Sequence, residues 1–203
     1  MNALQRFIRL PVIAILIICS LSFLLVIMVR NAGILEYLEL TAYDWCLRAN
    51  LQESSADSRI VLLKITENDI RQWGRWPLTD DRAAHILETL GSYHPRAIGF
   101  DIYRDIPVPP GTKDLYAVLT GNQRIITVMK FGEDGVLPPP ILAQSAQVGF
   151  NDMVVDPGGI VRRGLLFLDN GKTVSTSFDL LLALLYLKEE GIIPKADELK
   201  PEC

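Results

Sequence analysis

Two acids sit where short apolar runs end, and chemistry could begin there. Glu67 follows the run at residues 59–66 (RIVLLKIT), and Asp101 lies near the end of residues 96–103 (RAIGFDIY). If both runs are strands of an open parallel sheet, both carboxylates fall at strand ends, and such sheets take ligands at their carboxyl edge. A carboxylate there can meet a ligand or a cation, or be tied in a salt bridge to Arg75, Arg104 or Arg162. The sequence Arg75-Trp76-Pro77 offers a guanidinium beside an aromatic ring. It either shapes the start of the next helix, with Trp76 buried, or serves a ligand from a loop at the sheet end. Arg162 and Arg163 are neighbours on a predicted strand, where side chains alternate between faces. Only one of them can then reach a shared pocket, and one pairs with an acid. The ligand-binding candidates are Glu67, Arg75, Trp76, Asp101 and Arg162.

Catalytic patterns are missing from the sequence. It holds no G-x-S-x-G elbow and no H-E-x-x-H. Gly171-Lys172-Thr173 ends like a phosphate-binding loop, but Leu166 stands where that loop needs its first glycine. A hairpin turn explains those residues better. No G-x-G-x-x-G follows either early strand, so dinucleotide binding is unsupported. His85 and His94 stand singly and read as structural or solvent-facing. Cys19, Cys46 and Cys203 form no C-x-x-C or Cys/His cluster, so neither a zinc site nor a disulfide framework is expected. The net charge of −4 gives no basic face for nucleic acid. No catalytic residue, metal or cofactor is expected, and the chain does not read as an enzyme.

The element that must position this lobe comes first in the chain. Residues 11–29 (PVIAILIICSLSFLLVIMV) carry no charge. At about 1.5 Å per residue, such a helix roughly matches the hydrocarbon thickness of a bilayer. The run exceeds the usual length of a signal-peptide core, and its exit lacks a small-residue cleavage site, so an uncleaved signal anchor is expected. Arg6 and Arg9 precede the span, whereas Glu36, Glu39 and Asp44 follow Arg30. Positive charge stays on the cytoplasmic side. Residues 1–10 are therefore placed inside, and the rest of the chain outside a cytoplasmic membrane, after a single pass.

Residues 32–52 read as a membrane-proximal helix, and residues 52–58 as a polar linker. The lobe at residues 53–190 is long enough to bury a core. Its expected elements are strands at 59–66, 96–103 and 124–131, with helices at 67–73, 79–93 and 114–119 between them. That alternation predicts βαβ units and a largely parallel sheet flanked by helices, an α/β fold. Residues 148–151 suggest another strand. Residues 160–168 and 173–176 read as a hairpin closed by Asn170-Gly171. Residues 177–188 read as an apolar helix too short to span, so it packs on the sheet, and residues 191–203 form a loose tail.

These pieces, in this order, resemble the type-two CHASE domain, an extracytoplasmic sensory module of bacterial cyclases and kinases. The likeness is carried by Tyr43-Asp44 with Arg48, the run IVLLKIT before Glu67, and GRWP at residues 74–77. It continues through Arg82, His85, Leu87 and Leu90, RAIGFDI at residues 96–102, GFN at residues 149–151 and D-x-G-G-I-V-R-R at residues 156–163. A serine before the last helix, Ser175 or Ser177, fits too. The resemblance implies a membrane-anchored sensor of an unknown small-molecule or envelope stimulus, and transmission through one span is simplest in a homodimer. In such proteins further membrane helices and a catalytic module usually follow, so no output module is expected within this sequence. The alternatives are a non-sensing envelope interaction protein or a truncated receptor fragment.

Overall fold

A computed structural model describes residues 3–49, 57–156, 158–169, 171 and 173–195. The chain divides into two compact units, Met1–Leu62 and Leu63–Cys203. Residues 52–56 of the expected linker at 52–58, the turn residues Asn170 and Lys172, and the tail from residue 196, which includes Cys203, lie outside the described residues.

The first unit is helical. Helix α1 runs Ala3–Asn31, and its stretch Val12–Asn31 is long and apolar enough to cross a membrane. Its apolar side chains from Val12 to Met28 face outward. A lipid environment would suit them, since every backbone polar group is satisfied within the helix. Gly33 ends α1 with φ of 75°, a left-handed turn that glycine adopts without strain. Helix α2, Glu36–Ala49, buries no residue; Tyr37 and Trp45 are fully outward.

The stretch across the boundary of the two units departs from expectation. Residues 60–66 form no strand. Ile60, Val61, Leu62 and Leu63 are 74, 89, 74 and 62% exposed, and only Ile65 packs on a core. Branched residues favour a pleated surface only where a neighbour strand supplies it. Here none does, and β propensity alone does not hold a strand.

Helix α3, Glu67–Trp73, is capped as its sequence dictates. Thr66 accepts from the Asp69 N–H while Asp69 accepts from the Thr66 N–H, and Gly74 closes the other end with φ of 66°. Helix α4, Asp80–Ser92, follows Thr79 and buries Ala83, Ala84 and Leu87. Strand β1 (Ile98–Phe100), helix α5 (Thr112–Gly121), strand β2 (Ile125–Met129) and strand β3 (Val148–Phe150) complete the central layer. The sheet is parallel in the order β1-β2-β3, with Ile98 beside Ile125 and Thr127 beside Val148. The third strand is thus residues 148–150, not residues 59–66.

Helices α4 and α5 cover one face, where Leu87, Leu115, Leu119 and Ile125 form the main core. Helix α6, Phe178–Lys188, covers the other, packing Phe178 on Ile126 and Val128. The C-terminal hairpins also differ from the expected single one. Strand β5 (Ile160–Arg163) pairs with β4 (Val154–Asp156), across a turn containing Gly158-Gly159. Strand β6 (Phe167–Asp169) pairs with β7 (Val174–Thr176). Gly164 breaks the long run into two strands that find different partners.

Candidate functional site

The carboxyl ends of β1 and β3 open into a cleft of about 400 Å³. Asp101 comes from the end of β1, and Asn151, Asp152 and Met153 from the end of β3. Val161, Arg162 and Arg163 come from β5, and Ser177, Phe178 and Asp179 from the start of α6. Two glycines let α6 approach this closely. A Cβ at Gly99 would come 2.7 Å from the Phe178 ring and 2.8 Å from Leu182, and a Cβ at Gly149 would lie 2.5 Å from the Phe178 Cα. The helix start therefore lies against bare backbone, with the Ser177 hydroxyl accepting from the Leu180 N–H at 3.2 Å.

The polar groups of the cleft are held in chains. The Tyr103 hydroxyl donates to Asn151 Oδ1 at 2.7 Å, and Asn151 Nδ2 donates to Asp101 Oδ1 at 3.2 Å. Asp152 accepts from the Phe131 N–H at 3.0 Å. Asp156, whose side chain is only 1% exposed, takes Arg163 on one oxygen at 2.5 Å and Arg162 on the other at 3.0 Å. Hydrogen bonds, first from Arg163 and then from Arg162, hold its carboxyl below the usual range.

Both arginines converge because the ladder is irregular. Val154 faces Arg163 and Val155 faces Val161, so Arg162 is an extra residue in a bulge. A bulge breaks the strict alternation of faces. The expectation that only one arginine could reach a shared pocket is corrected on that ground.

Asp101 and Arg162 are brought together in the cleft; Glu67, Arg75 and Trp76 are not among its lining residues. Glu67 opens α3, exposed, and Arg75 and Trp76 lie in the loop between α3 and α4. Trp76 is 53% exposed rather than buried; the buried side chain at this helix start is Leu78, at 2%. Trp73 is the tryptophan that packs, with the Arg82 guanidinium 5.2 Å from its ring centre. Trp73, Arg82, His85 and Ile86 line a second, separate hollow.

Arg104 pairs with neither Glu67 nor Asp101. It is buried against Asp80 at 3.4 Å and donates to the Leu78 carbonyl at 2.6 Å. Asp80 accepts from the Val108 N–H and the Thr112 hydroxyl, fixing the loop before α5 to the start of α4. Sequence reasoning missed this pair. An acid in the first turn of a helix suits the dipole whether buried or not, so position alone could not reveal it. Gln147 was missed too. Buried at 3%, it donates through Nε2 to the carbonyls of Leu119, Asn122 and Ile125.

A family model described as the CHASE2 domain matches residues 21–200. The chain belongs to the CHASE2 domain family. That family is one of extracytoplasmic sensory domains, so the lobe is of a sensory type. No curated protein and no solved structure matches the chain. The CHASE2 motifs now have physical roles. RAIGFDI supplies a core strand, the glycine under α6 and Asp101. GFN supplies the second such glycine and the asparagine that bonds Asp101. D-x-G-G-I-V-R-R supplies the acid, the turn and the two arginines of the bulge.

Proposed function

We propose that this chain is a membrane-anchored sensor whose stimulus binds in the cleft between the carboxyl edge of the sheet and the start of α6. The observation that carries this reading is the meeting of Asp101, Asn151, Arg162 and Arg163 from three separate elements in one cleft. Open α/β sheets bind ligands at that edge. Each of these side chains is engaged through hydrogen bonds, Asp101 with Asn151 and the two arginines with Asp156, which suits recognition more than proton transfer or attack, so the reading is of a binding module and not an enzyme. Residues 11–29 anchor it in the cytoplasmic membrane with the N-terminus inside, a reading supported by the flanking charges and by the extracytoplasmic character of the family. Binding works as a signal only if it favours one arrangement of the lobe over another, and a homodimer is the simplest carrier of that change.

Thermal unfolding of the full chain in lipid nanodiscs, screened against small molecules and envelope extracts, tests the reading. The expected result is a compound that raises the midpoint of the unaltered chain and fails to do so with Asp101→Asn. A compound that stabilises both equally would place the site elsewhere. The exposure of Ile34, Tyr37, Leu38 and Trp45 at 70, 71, 61 and 73% favours a second reading, an envelope interaction protein docked through α2. Crosslinking from α2 to one constant partner, regardless of solutes, would favour it.

A further inference from the structure

Among the described residues, strand β1 has a neighbour on one side only. In a parallel ladder, alternate residues turn their N–H and C=O to the same side. Ile98 donates its N–H to the Arg124 carbonyl, toward β2, so Gly99 turns both groups to the outer edge. Gly99 is exposed there although Ile98 and Phe100 on either side are 7% exposed, and although Phe178 and Leu182 fill the space where its side chain would be. What is exposed is backbone at an open edge, a surface that proteins usually pair or cover.

The same unit holds a short strand-like run that pairs with no strand among the described residues. Leu63 is 62% exposed, while Ile65 already packs on the core cluster containing Ile98 and Phe100. The chain from Ile65 to Ile98 passes through α3 and α4, and α4 lies on that face of the sheet. This is the order and length of a parallel crossover. On the other face, Leu181, Leu182 and Leu185 of α6 are only half-buried, as under a sheet one strand too narrow.

We propose that Leu63, Lys64 and Ile65 close onto β1 as a fourth, parallel strand, with Leu63 beside Ile98 and Ile65 beside Phe100. The structure shows this strap open. In the closed form, Gly99 donates its N–H to the Leu63 carbonyl and the Ile65 N–H donates to the Gly99 carbonyl. Leu63 leaves water for the α4 face. Lys64 falls beside Gly99 on the α6 side, where its stem runs along the half-buried leucines of α6 while the amine reaches solvent. The strap begins where the second unit begins, at Leu63.

The test is amide hydrogen exchange by NMR on the full chain in nanodiscs, without any stimulus. Closure predicts that the Gly99 and Ile65 amides exchange roughly 100-fold or more slower than free-peptide rates, while Lys64, pointing outward, stays fast. Leu63→Asp should return Gly99 to near its free rate and leave Ile126 and Val128 protected; Leu63→Ser is the milder variant if the aspartate unfolds the sheet. Free exchange at Gly99 in the unaltered chain overturns the proposal, as does protection at Gly99 that neither variant changes. Neither outcome touches the stimulus-binding reading.

Discussion

Asp80 with Arg104, and Asp156 with Arg162 and Arg163, are the same chemical groups in opposite surroundings. The first pair is sealed, its two side chains 1% and 3% exposed. The second has a buried carboxylate, but Arg163 is 65% exposed and both arginines line the cleft. Burial lowers the pKa of Arg104 despite the opposing pull of Asp80. Asp80 Oδ1 and Arg104 Nε face each other without a hydrogen bond, so the sealed pair is incompletely compensated. It is kept because it ties Leu78, Val108 and Thr112 to one point. The Asp156 group is hydrogen-bonded on both oxygens and remains in reach of solvent and ligand. Geometry makes one a structural knot and leaves the arginines of the other in an open cleft.

The largest effect expected from this difference comes from Arg104→Met. It leaves Asp80 buried without its counter-charge and should cost about 3–5 kcal/mol in denaturant unfolding. Adding Asp80→Asn to that variant should restore part of the loss. A double variant as unstable as the single one would show that the hydrogen bonds of Asp80, rather than its charge, hold the loop.

Next in size is Gln147→Leu, in the same core. It removes the donor that serves the carbonyls of Leu119, Asn122 and Ile125, and each buried acceptor left unmet costs about 1–3 kcal/mol. A loss of at least about 2 kcal/mol in the unfolding free energy is expected. A neutral result would mean that water replaces the amide, making this core less sealed than its exposure implies.

Much of this contrast was legible in the sequence, but unevenly. Residues 67–73 form the helix expected there, held by a cap of Thr66, Asp69 and Gly74 that is local in the chain and needs no tertiary context. Residues 125–129 announced β2 because a strand buried on both faces is apolar throughout. Residues 59–66 carried the same signal and are not a strand, since pairing depends on neighbours the sequence does not name. For the cleft, Asp101 was expected at a strand end and Arg162 on a strand beside Arg163, and both line it. Trp76 misled because a tryptophan before proline reads the same buried or exposed. The convergence of Arg162 and Arg163 depends on a bulge, and the burial of Asp80 and Gln147 on a core assembled from distant segments. Period and propensity cannot express either.

The smaller effects belong to the cleft. The lowered pKa of Asp156 means its folded form binds protons less readily than the unfolded chain. Its contribution is therefore complete above its usual 3.8 and is lost as pH falls through that value toward the lowered folded one. Asp69 and Asp81 are depressed in the same direction, by Thr66 and Thr79, so the whole chain weakens in acid. The difference between the unaltered chain and Asp156→Asn isolates the cleft. Unfolding midpoints should differ most at neutral pH and converge as the pH drops below that value. A constant gap would assign the arginines a role independent of the Asp156 charge.

The smallest expected effect is that of Arg163→Ala. The side chain is mostly in water, where an ion pair gains little over hydration, and Arg162 remains on the other carboxylate oxygen. Stability should stay within the scatter of ordinary surface substitutions, while any stimulus found by the nanodisc screen should lose affinity. Arg104→Met should show the reverse balance, a large loss of stability with the cleft residues themselves unaltered. If Arg163→Ala instead destabilises the chain as much as Arg104→Met does, exposure does not separate the two clusters. The β5 bulge would then be a structural knot of the same kind as the Asp80 pair.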